Sequence, residues 1–113
     1  MLAQEYRLRK KGDIEFVWKH GRSFVTPIFS LKYCKNKLSH ARATVVVGTK
    51  VSKRAVVRNL VKRRLREALR PLMPSIKGPF DILISVRPGS DKKTYAELSS
   101  TLLFALKKTG LLA

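Results

Sequence analysis

The sequence predicts a single α+β domain in which helices pack against a four-stranded sheet, with the element order αβββαβα. Three observations lead to this class. The 113 residues are enough for one modest core but not for two. Hydrophobic residues make up 44% of the chain, a share that can offset the entropy lost on ordering. Glycine and proline then divide the chain into short segments with either helical or alternating apolar spacing. We therefore predict one domain over residues 1–113.

The first predicted helix spans residues 13–20. Asp13 precedes apolar residues at helical spacing and is expected to cap the helix, and Gly21 stands where a glycine often ends one. Two strands are predicted next, near residues 22–26 and 28–34, because a proline interrupts an otherwise extended pattern. Apolar and polar residues alternate in the second of them. One face should therefore pack on the core while the other meets a polar partner.

The second half of the chain supplies the remaining four elements. Residues 41–48 are rich in valine and threonine and predict a third, more buried strand. A long helix follows over residues 52–70 and is closed by the prolines beyond it. Residues 80–86 predict the fourth strand, and residues 94–108 predict a last helix with apolar side chains at helical spacing.

The charge balance predicts a polyanionic partner. The chain has 25 Lys and Arg residues against 7 Asp and Glu residues, a formal net charge of +18. No apolar run approaches the roughly 18 residues of a membrane span, and the basic N-terminal segment lacks the pattern of a secretory signal. We therefore expect a cytoplasmic protein without a membrane partner. The single cysteine, Cys34, excludes an internal disulfide and a multi-cysteine zinc site.

The acidic and histidine residues predict no catalytic or metal site in the chain itself. Acid–base and metal-assisted chemistry need clusters of His, Asp, Glu or Cys, and here these residues are scattered. Asp13 and Glu15 are two positions apart on a helix, which directs them to different faces. We expect no catalytic residue.

The long helix carries most of the functional information. Lys53 to Arg70 contains eight basic residues and only one acid, Glu67. At 100° per residue, one arc is apolar and consists of Val57, Leu60, Val61, Leu65, Ala68 and Leu72. The opposite arc is polar and consists of Asn59, Arg63, Arg66 and Arg70. Arg64 falls inside the apolar arc, and we expect its guanidinium to reach outward along the methylene stem.

Two interpretations of this charged helix are open, a solvated surface helix and a phosphate-binding face. A solvated face normally mixes signs, because like charges four residues apart repel each other. Arginine binds phosphate oxygens through two parallel hydrogen bonds, and Asn59 can both donate and accept among the arginines. The combination favours a shape-specific contact with RNA.

In this helix the sequence resembles the protein subunit of bacterial ribonuclease P. The matching residues are Arg58-Asn59, Lys62-Arg63 and Arg66-Glu67, preceded by basic residues from Lys53 onward. The resemblance continues in residues 8–13 and 19–23 and in residues 95–98. Three matches in the same order cover nearly the whole chain, which is far more specific than a basic helix alone.

The resemblance implies both a fold and a function. The fold is ribosomal-protein-like, with a left-handed βαβ crossover, which is unusual because right-handed crossovers are the rule. The function is to assist a catalytic RNA, which binds most of the magnesium and removes the 5′ leader of precursor tRNA. The implied partners are therefore the ribonuclease P RNA and the leader, and no protein partner is required.

Residue by residue, the resemblance also implies two surfaces. The RNA-binding residues are Lys50, Lys53, Arg54, Arg58, Asn59, Lys62, Arg63 and Arg66. The cleft for the leader lies between the first helix and the sheet, and it is lined by Ile14, Trp18, Ser30 and Lys32.

Several alternatives stay open at this point. Trp18 is either a stacking platform for a leader base or a core anchor. A module for another structured RNA, such as a ribosomal protein, shares the size and charge. A membrane-surface protein would suit the amphipathic helix, although a chain this small needs the apolar arc for its core. A nuclease active without RNA is the least consistent with the scattered carboxylates.

Overall fold

The computed structural model describes residues 2–113, so Met1, the first residue of the predicted domain, lies outside it. The order αβββαβα is confirmed. The helices are α1 (Lys11–His20), α2 (Ala55–Leu69) and α3 (Tyr95–Lys108). The strands are β1 (Arg22–Val25), β2 (Phe29–Lys35), β3 (Arg42–Val46) and β4 (Phe80–Val86).

The four strands form one mixed sheet in the order β1-β2-β4-β3. The pairs β1–β2 and β2–β4 are antiparallel, whereas β3 and β4 are parallel and α2 connects them. The third predicted strand, residues 41–48, is more buried than the two before it, as predicted, because Ala41, Ala43, Val45 and Val47 are buried. It is nevertheless not the most buried strand of the sheet. β3 lies at an edge and Val46 is 41% exposed, whereas Ile82, Leu83 and Ile84 of the inner strand β4 are fully buried.

Helices cover the two faces of the sheet unequally. One face carries the main core, in which Phe29 and Leu31 of β2 cluster with Leu65 of α2 and Leu102 of α3. On the other face, α1 forms a small separate cluster of Leu8, Val17 and Leu83. Because α1 is only ten residues long, it leaves part of this second face open beside it.

The helix α1 begins earlier than predicted, and the glycine that follows it is required for a different reason than predicted. Asp13 does not cap the helix, because α1 begins at Lys11 and Lys10 occupies the cap position without a side-chain bond. Gly21 follows the helix, but its φ of −71° is open to any residue. Space is what requires glycine there. A Cβ would lie 2.5 Å from the Val17 carbonyl oxygen and 3.2 Å from the backbone of Tyr33.

The helix α2 starts three residues later than predicted. Val51 donates its N–H to the carbonyl of Gly48, and Arg54 donates its N–H to Oγ of Ser52 at 3.2 Å. These local bonds form a turn, so the first helical residue is Ala55. By contrast, α3 begins only one residue after its predicted start, because Thr94 is its cap: Oγ1 of Thr94 accepts the N–H of Glu97 at 3.2 Å.

Candidate nucleic-acid interface

The helix α2 presents two distinct faces, as its sequence predicts. Val61, Leu65 and Ala68 are buried in the main core. Leu69 is also buried, although the predicted apolar arc omits it, and Val57 and Leu60 are only half-buried. The packing of the inner face fixes the opposite face toward solvent.

The outward face of α2 is a shallow basic groove. Asn59, Arg63 and Arg66 are exposed, and Lys62 is half-buried beside them. Together with Val56, Leu60 and Glu67 these residues line a groove of about 540 Å³. We call this surface, together with the turn before the helix, the basic face. Guanidinium and ammonium groups along a groove can bind the phosphates of a nucleic-acid backbone.

The turn before α2 extends the basic face. Lys50, Lys53 and Arg54 are all exposed in this turn. Nη1 of Arg58 donates to the carbonyl oxygen of Ser52 at 3.0 Å, which ties the half-buried guanidinium to the turn. All eight predicted RNA-binding residues therefore lie in one continuous stretch, from residue 50 to residue 66.

Arg64 leaves the apolar side as expected. Its side chain is half-buried, and Nη1 donates to the carbonyl oxygen of Lys93 at 3.4 Å. The guanidinium therefore meets the turn before α3 and not the basic face. Its charge is offset locally by a backbone dipole.

The open part of the second sheet face beside α1 is the region predicted to form the cleft. The strand register places Lys32 of β2 and Thr44 of β3 on either side of Leu83, and it pairs Ser30 with Ser85. Because side chains alternate between faces along a strand, these polar residues share the face on which α1 packs. Ser30 and Lys32 are brought together as predicted, and Thr44 and Ser85 are additional lining residues.

Two α1 residues, Ile14 and Trp18, border this cleft. Ile14 is half-buried against the Leu8–Val17–Leu83 cluster, and it also lines a depression of about 390 Å³ with Thr44 and Arg66. Arg66 therefore links the cleft to the basic face. The four predicted cleft residues thus lie along one edge of α1 and the strand beneath it.

Trp18 is not a core anchor. Its side chain is 52% exposed, so the structure rejects that alternative. Nζ of Lys32 donates to the carbonyl oxygen of Trp18 at 2.9 Å and lies 4.6 Å from the centre of the indole ring. The ammonium both caps the last turn of α1 and holds the ring by a cation–π contact. The ring is therefore positioned and accessible.

An ion-pair network fixes α1 on the sheet. Arg42 donates from Nε to Oδ1 of Asp81 at 2.9 Å and from Nη2 to Oδ2 at 2.8 Å. The same Nη2 reaches Oδ2 of Asp13 at 3.4 Å. The hydrogen bonds to Asp81 raise the pKa of Arg42, so the guanidinium stays charged. Burial, and then the charge of Asp81, raise the pKa of the Cys34 thiol, which stays protonated at neutral pH.

The described residues offer no metal centre of their own. Within residues 2–113 no three His, Cys, Asp or Glu side chains come close enough to hold a metal ion. The same part of the chain contains no helix with the length and apolar character needed to cross a bilayer.

Comparison with known proteins decides which of the RNA-binding classes applies. The model of the ribonuclease P family matches residues 2–110. The chain belongs to the ribonuclease P protein family. The ribonuclease P protein component of Clostridium botulinum strain 657 is 35% identical over 109 residues, covering 96% of this chain and 97% of that protein.

Solved structures agree with this assignment to the ribonuclease P protein family. The ribonuclease P protein of Staphylococcus aureus superposes with a TM-score of 0.86 at 28% identity, covering 96% of this chain and 98% of that one. The ribonuclease P protein of Thermotoga maritima superposes with a TM-score of 0.80 at 29% identity, covering 90% and 96%. The ribosomal-protein alternative is therefore not needed.

Proposed function

We propose that this ribonuclease P protein holds the RNA subunit on its basic face and the 5′ leader of precursor tRNA in the cleft beside α1. Ribonuclease P is the endoribonuclease that matures tRNA 5′ ends, and this chain is a protein component of that ribonucleoprotein type. The observation that carries the proposal is the basic face, whose residues Lys50, Lys53, Arg54, Asn59, Arg63 and Arg66 are exposed. In this proposal the protein acts in the cytoplasm, where tRNA precursors are processed, and it needs no protein partner.

The cleft suits a single-stranded segment better than a duplex. One accessible indole ring gives a base a stacking surface, and the ammonium of Lys32 beside it gives a phosphate a counter-charge. Small hydroxyl side chains at Ser30, Thr44 and Ser85 leave room for the backbone and can hydrogen-bond to it. Arg66 at the far side continues the positive potential toward the RNA subunit.

The magnesium ions of the reaction belong mainly to the RNA subunit in this proposal. Magnesium prefers several oxygen ligands, usually carboxylates together with phosphates and water. The carboxylates of the described residues do not cluster, and Asp81 is committed to Arg42. The role of the chain is therefore to place RNA, not to activate water.

The first prediction concerns the basic face. Replacing Arg63 or Arg66 by alanine should weaken binding of the RNA subunit, because each neutralises a phosphate and releases counterions. The slope of log K against log salt should fall by roughly 0.7–0.9 per lost contact. The measurement is a filter-binding or anisotropy titration at four or more salt concentrations.

Two control variants show whether a change in the salt slope comes from lost phosphate contacts. Lys107→Ala removes an exposed cation at the end of α3, remote in sequence from the basic face, and should leave the slope unchanged. Asn59→Ala should weaken binding by about 1 kcal/mol through a lost hydrogen bond while the slope stays nearly constant. Weaker binding of the arginine variants with an unchanged slope would contradict phosphate neutralisation.

The second prediction concerns the leader. Trp18→Ala should weaken binding of precursor tRNA to the holoenzyme by about 1–3 kcal/mol, because a stacked leader base loses its platform. Binding of mature tRNA, which has no leader, should stay almost the same. Since Trp18 is half exposed, the variant should lose about 1 kcal/mol of stability or less. Equal losses for both tRNAs would reject the stacking role.

A further inference from the structure

A second depression lies across α1 from the leader cleft. It has a volume of about 470 Å³, and its main lining residues are Lys10, Phe16, Lys35, Asn36, Lys37 and Leu38. None of these residues belongs to the basic face or to the leader cleft. We call it the Phe16 depression.

The Phe16 depression has two exposed apolar side chains among its lining residues. Phe16 is 54% exposed and Leu38 is 44% exposed. The imidazole of His20 packs on the Phe16 ring with centroids 4.7 Å apart, which holds the ring on the helix surface. An exposed phenyl ring opposite an aliphatic side chain offers a flat group such as a nucleobase a stacking surface.

The rim of the Phe16 depression is positive. Its two acids, Asp13 and Asp81, are both bound to Arg42, at 3.4 Å and 2.8 Å. Among the described residues, no acid forms an ion pair with Lys10, Lys35 or Lys37. Three ammonium groups around an aromatic wall favour an anionic ligand that also carries a flat ring.

The loop after β2, which carries Lys37 and directly follows Lys35, is held in place before any ligand binds. Nδ2 of Asn36 donates to the carbonyl oxygen of His40 at 3.1 Å and to Oδ1 of Asp81 at 2.9 Å. Oδ1 of Asn36 accepts the N–H of Leu38 at 2.8 Å. Because Asn36 is bonded on three sides, binding requires little ordering of the loop.

We propose that the Phe16 depression binds an unpaired nucleotide of single-stranded RNA, with its base on Phe16 and its flanking phosphates on Lys35 and Lys37. The site is separate from the leader cleft, because Ile14 and Trp18 lie on the side of α1 opposite to Phe16. It gives the protein a second contact for single strands, independent of Trp18.

Phe104 offers a matched control, since it is a phenylalanine of 52% exposure on α3. The probe is a fluorescent 12-nucleotide oligouridylate, titrated against the full chain in a Trp18→Ala background so that the leader cleft contributes little. Phe16→Ala should lower the affinity about tenfold, whereas Phe104→Ala should leave it unchanged. Phe16→Leu keeps the apolar bulk for folding and should lose affinity nearly as much as Phe16→Ala.

The charge of the rim is tested separately. Lys35→Ala combined with Lys37→Ala should lower the salt slope by roughly 1.4, twice the single-strand value per phosphate, and Lys107→Ala should not change it. Equal affinity of the Phe16→Ala and Phe104→Ala proteins would overturn the proposal, as would tight binding of an apolar peptide with no response to RNA. A failed leader test with Trp18 would not affect these outcomes, because every variant here already lacks Trp18.

Discussion

Replacement of Asp81 by alanine is expected to destabilise the protein by about 3 kcal/mol, because it leaves a largely buried guanidinium with only its longer, 3.4 Å contact to the partly exposed Asp13. The side chain of Arg42 is 17% exposed and that of Asp81 is 7% exposed, so water can replace little of the lost interaction. Nδ2 of Asn36 loses an acceptor in the same variant. Urea unfolding monitored by circular dichroism would measure the free-energy difference.

An exposed ion pair provides the comparison for the Asp81 variant. Glu97 lies 3.8 Å from Lys93, and both side chains are about half exposed. Glu97→Ala should therefore cost no more than about 1 kcal/mol. Asp81→Asn keeps the shape and should fall between the two. A loss below about 1 kcal/mol for Asp81→Ala would mean that its pair with Arg42 contributes little to the stability of the protein.

The sequence predicts the bounds of an element well where a glycine, a proline or a capping residue stands at its end. The bounds of β4 are as predicted, residues 80–86, because Gly78-Pro79 precedes the strand and Pro88 follows it. The helix α3 begins one residue after its capping threonine, Thr94. The amphipathic character of α2 follows from its 3.6-residue repeat, which depends on the chain alone.

Features that depend on pairing distant segments could not be predicted in the same way. Whether β3 is an edge or an inner strand depends on its parallel pairing with β4 beyond α2, and no local signal reports that. The same holds for Asp13, whose role depends on Arg42, 29 residues away. The left-handed crossover stays a prediction from the family resemblance, because the general rule for parallel strands favours the right hand and no local signal indicates otherwise.

The candidate site shows the same division between local and distant information. The basic face lies within one helix and the turn before it. Helical spacing alone groups Asn59, Arg63 and Arg66, whereas the family resemblance implies the other five residues. The proposed leader cleft combines residues of α1, β2, β3 and β4. Thr44 and Ser85 escaped prediction because only the strand register places them beside Lys32 and Ser30. Trp18 could not be assigned from the sequence, since its exposure depends on how α1 lies on the sheet.

The largest expected effect is on cleavage itself. Protein freed of RNA should not cleave precursor tRNA, because the described residues hold no clustered acid–base or metal-ligating set. Addition of the ribonuclease P RNA with magnesium should restore cleavage at the 5′ end of the mature tRNA. The measurement is a gel assay of a 5′-labelled precursor with protein purified in denaturant, treated to destroy RNA and refolded.

The cleavage assay must separate the rate that the RNA gives alone from the increase that the protein adds. The RNA alone, assayed at low magnesium, sets the baseline, and the protein should raise the rate above it. Arg63→Ala combined with Arg66→Ala should reduce this gain at a fixed protein concentration, because a weakened basic face leaves less RNA bound. Excess variant protein should recover the gain if binding alone is affected. Site-specific cleavage by the RNA-free protein would instead assign the chemistry to this chain and overturn its role as a supporting subunit.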